Sequence, residues 1–329
     1  MLAGRFPAKH QIELVDVPEP TLERAAPLPG EPGDIIFQPE ISCLCGSDLP
    51  FFNAEHPEFT NREIGHSLHE MTGTVVATNG KKFRAGDKVL AVPINQRGLF
   101  ERYVVTEARA IPVDPRLPKN RAFLAQPLGT VIFGIKKLPQ VLDQDVVIVG
   151  QGPIGQMFTL CMRNLGARQI IAVEKIPSRL ALSPKMGATA TINPLETDVA
   201  AEVSRLTGGA MADVVIEAVG HADQAINLAL STVKRFGRLL YFGVPPESVG
   251  VSLRDALVRN VTIHTTVNPD FDRDFPLAMR WLAEGRIDLG PLVTHTYPLR
   301  EIQTAFETFR DRKDGAQKVV IEFPAGAGK

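Results

Sequence analysis

Cysteine is scarce in this chain: three thiols in 329 residues. They are too few for a disulfide framework, so a reducing cytoplasm is the expected compartment. Long apolar runs are missing too. None reaches the roughly 18 to 20 residues that a membrane span requires. The opening stretch MLAGRFPAKHQIELVDVPEP alternates like a strand and lacks the apolar centre of a signal peptide. Neither sign of charge prevails, with 36 basic against 37 acidic residues, so no field favours nucleic acid or an anionic membrane surface. Internal repeats and low-complexity tracts are absent. What is left is a chain long enough for two domains with sizeable cores.

Residues 1 to about 125 read as a β-rich unit. Short alternating or β-branched runs (Gln11 to Val15, Asp34 to Gln38, Thr74 to Ala77, Lys88 to Val92, Glu101 to Thr106) are separated by turns. Proline is dense at Pro18, Pro20, Pro27, Pro29 and Pro32, which favours loops and edge strands over helices. From Leu128 onward the pattern becomes helix (Val131 to Leu138), strand, helix, strand. Strands are expected at Val146 to Val149, Ile170 to Val173, Ala190 to Ile192, Asp213 to Ala218, Arg238 to Phe242 and Val261 to Thr265. Amphipathic segments such as His221 to Val233 lie between them. That alternation predicts an α/β fold with a doubly wound parallel sheet. After Asn268 come a helix (Asp274 to Glu284), a strand (Val293 to Tyr297), a helix (Leu299 to Arg310) and a last strand (Gln317 to Phe323). With six strands already assigned to the parallel sheet, these elements are expected to return to the first unit. The predicted division is 1–125 with 266–329, and 126–265.

One stretch organises the second unit. The strand Val146 to Val149 feeds into Gly150-Gln151-Gly152-Pro153-Ile154-Gly155, a G-x-G-x-x-G turn opening a helix, and a second strand ends on Glu174. Gly150 permits the tight turn, Gly152 lets backbone approach a pyrophosphate, and Gly155 lets helix and strand pack closely. The helix start at Pro153 and Ile154 offers free N–H groups to the anion. An acid about 24 residues after the first glycine suits the ribose hydroxyls, which assigns Glu174 to them and favours NAD over NADP; Lys175 weakens that preference. Val219 and Gly220, just beyond a strand, are expected at the sheet's C-terminal edge near the nicotinamide. Cys161, in phase with Ile154, Met157 and Phe158, reads as a core residue.

Two segments of the β-rich part carry metal-binding chemistry: Ser42-Cys43-Leu44-Cys45-Gly46-Ser47-Asp48 and Gly65-His66-Ser67-Leu68-His69-Glu70-Met71-Thr72-Gly73-Thr74-Val75. Thiolate, imidazole and carboxylate suit zinc, and an open fourth position would make the site catalytic. Here the whole chain resembles the zinc-dependent medium-chain dehydrogenase/reductases of the alcohol dehydrogenase superfamily, especially their polyol, glucose and threonine branch. Cys45-Gly46-Ser47-Asp48 is similar to the family's C-G-[ST]-D. His69-Glu70-x-x-Gly73-x-Val75 is similar to its G-H-E-x-x-G-x-V, with Leu68 in place of the glycine. Gly86-Asp87-Lys88-Val89, Gly98-Leu99-Phe100-Glu101-Arg102-Tyr103, Gln126-Pro127-Leu128 and Thr294-His295-Thr296-Tyr297-Pro298-Leu299 add further matches.

The resemblance implies a GroES-like catalytic domain beside a Rossmann NAD-binding domain. It also implies a site in the cleft between them, and a homo-dimer or homo-tetramer. It makes Cys45 and His69 zinc ligands, Glu70 a direct or water-exchanging ligand, and Ser47 the group that hydrogen-bonds the substrate hydroxyl and passes its proton outward. His69 is preferred to His66 because only His69 has Glu70 beside it and Gly73 four residues on. Gln126 stands where the polyol branch has a zinc-proximal acid; a neutral amide binds zinc poorly, so Gln126 is placed near the metal, through water. The family's relay histidine is missing, since Pro50, Phe51 and Phe52 occupy its region, and the relay ends in water or on His56. The short stretch Pro93 to Phe100 has no four-cysteine lobe, leaving one zinc at most.

The implied reaction is reversible, NAD-dependent oxidation of a secondary alcohol to a ketone, the substrate being a sugar, polyol or related hydroxyl compound. Two alternatives stand beside it: a zinc-free enone or quinone reductase using NADPH, and a catalytically silent NAD-binding protein. Cys43, His10, His221, His264 and His295 read as packing or surface residues. Phe51, Phe52, Phe59 and Trp281 are core aromatics or walls of a substrate pocket.

Overall fold

The computed structural model describes residues 1–22, 30–55, 64–220 and 224–324. It divides into Met1–Gly129 with Asp270–Lys329, and Thr130–Pro269. Pro27, Pro29, His56, Phe59 and His221 lie outside the described residues. No helix among the described residues is long and apolar enough to cross a membrane.

The first unit opens with an antiparallel pair, β1 (Leu2–Ala8) and β2 (Gln11–Asp16). Its main sheet begins with β3 (Asp34–Cys43), β4 (Glu70–Thr78), β5 (Lys88–Ala91), β6 (Tyr103–Thr106) and β7 (Ala110–Pro112). β3 alternates half-buried and buried positions along most of its length, as a sheet with one covered face requires. Pro39 interrupts the β3–β4 ladder at a register shift, where a missing N–H costs little. Opposite it stands Gly73, whose absent side chain is a necessity. A Cβ there would lie 2.0 Å from the Gln38 carbonyl oxygen.

The second unit holds β8 (Asp145–Val149), β9 (Gln169–Val173), β10 (Ala190–Ile192), β11 (Ala212–Glu217), β12 (Val233–Tyr241) and β13 (Thr262–Thr265). All their pairings are parallel, in the order β10-β9-β8-β11-β12-β13. β8 and β11 are buried at every position. Helices cover both faces of such a sheet, which is why these strands read as unbroken apolar runs rather than alternating ones. Strand order reverses between β8 and β11, the switch point where doubly wound sheets place ligands.

The chain then returns to the first unit with β14 (Val293–Pro298) and β15 (Lys318–Glu322), completing the order β14-β15-β3-β4-β5-β7, with β6 against β3. β14 and β15 are parallel and need a crossover. The helix Ile302–Asp311 supplies it, burying Ile302, Ala305, Phe306 and Phe309 in one core with Phe6, Phe51 and Phe52. Phe51 and Phe52 are thus core residues, Phe52 fully enclosed.

Several boundaries differ from the sequence reading. The helix expected over Val131 to Leu138 runs over Ala125–Ile135. Pro127 is accommodated because it falls in the first turn, where amide N–H groups have no helical acceptor. The helix placed at His221 to Val233 spans Ala225–Thr232, and Val233 already opens β12. The strand read from Glu101 begins at Tyr103, because the Glu101 carboxylate instead accepts a hydrogen bond from Leu2 N–H at 2.6 Å.

Candidate metal centre and dinucleotide turn

Strand register builds the first site. Cys43 of β3 pairs with Glu70 of β4 on one side and Val320 of β15 on the other. Beyond the ladder, Leu44 N–H reaches the Val319 carbonyl at 2.9 Å, so the next residue, Cys45, arrives beside the start of β15. The chain then enters a 3-10 turn, Gly46–Asp48, and β4 begins immediately after His69. One ligand atom each from Cys45, His69 and Glu70 lies within 4.8 Å of the other two. His66 has its ring stacked on Phe51, centroids 5.0 Å apart. Cys43 is fully buried, and burial pushes its thiol well above the ordinary cysteine range. Cys161 is likewise buried, its thiol raised to about 12 by burial; both are packing residues, not nucleophiles.

Asp48 holds this turn together, a role the sequence reading did not give it. Fully buried, it accepts hydrogen bonds from Cys45 N–H (2.7 Å), Ser67 Oγ (2.8 Å) and Leu68 N–H (2.9 Å). Its Oδ1 also lies 4.0 Å from His69 Nδ1. Ser67 and Leu68 are in left-handed backbone, with φ of +89° and +64°. Glycine adopts that region without strain and other residues do not, which is the physical reason the related motif has glycine where Leu68 stands. Here the Asp48 hydrogen bonds and full burial of the Leu68 side chain hold the strained turn in place.

Lys318, the first residue of β15, is the second group not foreseen. It is buried to 1% exposure, and its ammonium donates to both oxygens of Glu70, at 2.5 Å to Oε1 and closer still to Oε2. Burial pushes the Glu70 carboxyl upward, and the Lys318 ammonium beside it is the largest influence holding it ionised. Burial acts the other way on Lys318, yet the Glu70 and neighbouring cysteine charges raise it above the usual lysine range, so the ammonium stays charged. A cation at the trio would therefore compete with Lys318 for the same carboxylate. The sequence signal for this pair was a lysine heading the short apolar run Val319 to Ile321, which by itself reads as a surface charge.

Ser47 Oγ is buried and has no hydrogen-bond partner among the described residues; the same is true of His69 Nδ1. Both polar atoms have been moved out of water and left with bonding capacity. Gln126 occupies the first turn of the helix Ala125–Ile135 and is half-buried. Sulfur, nitrogen and oxygen donors gathered at this spacing fit zinc, with Glu70 the donor already engaged.

The second site follows β8. Gly150 has φ +92°, and a Cβ on it would meet Val219 Cγ2 at 2.9 Å. A Cβ on Gly155 would lie 1.8 Å from the Gly150 carbonyl oxygen, so helix and strand end approach more closely than any side chain allows. Gly152 caps the helix Pro153–Asn164, with Pro153 at its first position and Ile154 next. Glu174, just past β9, is buried and accepts from Gln151 N–H (2.9 Å), Lys175 N–H (2.8 Å) and Ile176 N–H (3.0 Å). One of its oxygens thus closes the glycine turn and the other caps its own loop. Beyond β11, Glu217 does the same for the next turn, accepting from Val219 N–H (2.8 Å), Gly220 N–H (3.3 Å) and Gly243 N–H (3.1 Å). Val219 and Gly220 accordingly stand at the C-terminal end of the central strands, beside Gly150.

Comparison with known proteins shows what the chain is similar to. A family model described as zinc-binding dehydrogenase matches residues 153–284. The L-threonine 3-dehydrogenase of Proteus mirabilis (strain HI4320) is 26% identical over 355 residues, covering 97% of this chain and 98% of its own. Among solved structures, the alcohol dehydrogenase TADH from Thermus sp. ATN1 superposes with a TM-score of 0.85 at 25% identity, covering 98% of this chain and 100% of its own. Galactitol-1-phosphate dehydrogenase from Escherichia coli shares the fold, with a TM-score of 0.85 at 20% identity over 98% of this chain and 100% of its own. Residues 153–284 thus match the zinc-binding dehydrogenase family, and over nearly its whole length the chain is similar in sequence and fold to medium-chain alcohol, polyol and threonine dehydrogenases.

Proposed function

We propose that this protein is an NAD-dependent dehydrogenase of secondary alcohols (sugars, polyols or related hydroxyl compounds) working at one catalytic zinc. The observation that carries the reading is the convergence of Cys45, His69 and Glu70 donor atoms within 4.8 Å. Cys45 and His69 would hold the ion, with Glu70 as the third, exchangeable ligand and Gln126 near it through water. When bound, zinc supplies Lewis acidity that brings an alcohol's proton loss within reach of neutral pH. Ser47 would accept a hydrogen bond from the substrate hydroxyl and pass its proton outward; what supports this is that its Oγ is buried and has no hydrogen-bond partner among the described residues. Lys318 keeps Glu70 from binding the ion permanently, leaving a position open for substrate.

In the second unit, Gly150, Gly152, Pro153, Ile154 and Gly155 form the cradle for the dinucleotide's pyrophosphate, and Val219 with Gly220 borders the nicotinamide. The Glu174 carboxylate, anchored by three backbone N–H groups, puts negative charge where a 2′-phosphate would be repelled. Assembly into a homo-dimer or homo-tetramer belongs to the same proposal, with light scattering as its test.

The deciding experiment combines metal analysis with NAD reduction across sugars, polyols and threonine. We expect one zinc per chain and turnover of at least one secondary alcohol. Enone reduction without zinc would select a reductase instead, and nucleotide binding without any turnover would select a silent protein. Cys45→Ser should abolish turnover while NAD affinity stays within about twofold of wild type; equal loss of both would remove Cys45 from the metal site.

A further inference from the structure

Behind the glycine turn lies a fully buried polar cluster made of Gln151, Gln156, Thr159 and Ser183. Gln151 Oε1 accepts from Thr159 Oγ1 (3.0 Å) and Ser183 Oγ (3.2 Å). The Gln156 amide reaches three acceptors: the Gln151 carbonyl (3.2 Å), the Arg179 carbonyl (2.9 Å) and Ser183 Oγ (3.2 Å). One side chain therefore ties the dinucleotide turn to the helix Pro177–Met186, which carries both Arg179 and Ser183.

The location of Arg179 gives that tie a use. Its Nη1 lies 3.5 Å from the point a Cβ on Gly152 would occupy, and its Cζ 3.7 Å away. A guanidinium thus stands over the glycine that caps the helix Pro153–Asn164, at the end where helix N–H groups and dipole already favour an anion. Arginine reads phosphate through a fixed fork of donors, so its usefulness depends on where its backbone is held. The amide of Gln156 is not there for stability alone. Its Oε1 is buried without a hydrogen-bond partner among the described residues, a penalty that an apolar side chain of the same length would avoid.

We propose that Gln156, working through Ser183 and Gln151, is a positioning residue that sets the Arg179 guanidinium over Gly152 and so tunes affinity for the phosphates of the dinucleotide. This rests on the cofactor reading above. Its test is calorimetric binding of ADP and adenosine to the wild type and to Gln156→Met, Ser183→Ala, Arg179→Ala and Gln156→Met/Arg179→Ala. Arg179→Ala and Gln156→Met should each weaken ADP about tenfold, the size of one charged hydrogen bond. Ser183→Ala should weaken it less, and supplies the test should Gln156→Met fail to fold. The double variant should be no worse than Arg179→Ala, because both substitutions remove the same contact. Adenosine, which has no phosphate, should keep its affinity throughout, whereas a merely structural lesion would weaken both ligands. ADP affinity of Gln156→Met and Ser183→Ala within twofold of wild type, or losses that multiply in the double variant, would overturn the assignment. A wild-type protein that binds neither ADP nor NAD would fail earlier, at the cofactor reading itself.

Discussion

The turns at the two candidate sites reach unusual backbone conformations by opposite means. At the dinucleotide turn the left-handed position is Gly150, which adopts φ +92° without strain, and the closest approach is made by Gly155. At the metal turn the left-handed positions are Ser67 and Leu68, both with side chains. There the conformation is imposed by hydrogen bonds that Ser67 Oγ and Leu68 N–H donate to Asp48, 19 and 20 residues earlier in the chain. The first turn is made by its own residues and the second is made by its surroundings. A turn of the second kind depends on distant buried charges, so it should be the more fragile of the two.

Substitutions can break or sharpen that contrast. Lys318→Met should have the largest effect, destabilising the protein by about 3 to 5 kcal/mol, because it leaves the buried Glu70 carboxylate without its counter-charge. Urea denaturation reads this out, and Lys318→Met combined with Glu70→Gln should recover much of the loss; a double variant as unstable as the single one would contradict the pairing. Asp48→Ala follows at about 3 kcal/mol, since three donors lose one acceptor group. Zinc content should fall with it, and unchanged stability would mean that the turn holds itself. Third come paired changes of backbone freedom. Gly150→Ala should cost about 1 to 3 kcal/mol through a forced left-handed alanine beside Val219. Ser67→Gly should stay within about 1 kcal/mol, relief of strain offsetting the lost bond to Asp48. Equal penalties at both positions would erase the distinction. The smallest effect is expected from Glu174→Ala, which should lower the ratio of NAD to NADP affinity several-fold and leave folding largely intact. An unaltered ratio would show that Glu174 serves only its three backbone partners.

Much of the second unit was legible before any coordinates. Its strands are buried on both faces, so each reads as a short apolar run, and a glycine turn that needs no outside help keeps its signature within six residues. The first unit was harder. Cys45, His69 and Glu70 were found through short motifs, but neither Asp48 nor Lys318 could be given a role. The burial of Lys318 depends on β15 pairing with β3, a contact between residues about 280 positions apart. Gln156 was hidden for a related reason: one amide in an amphipathic helix looks like part of a wet face until the helix behind it is known.

What the sequence determined by itself was the alternation of elements, the glycine turn and the donor types at the candidate metal site, because each depends on neighbours along the chain. Tertiary structure alone decided the ionic partner of Glu70, the strain at Ser67 and Leu68, and the placing of Arg179 over Gly152. Those outcomes require charges and carbonyls from separate strands and helices to be brought together and cut off from water, and no local pattern encodes that.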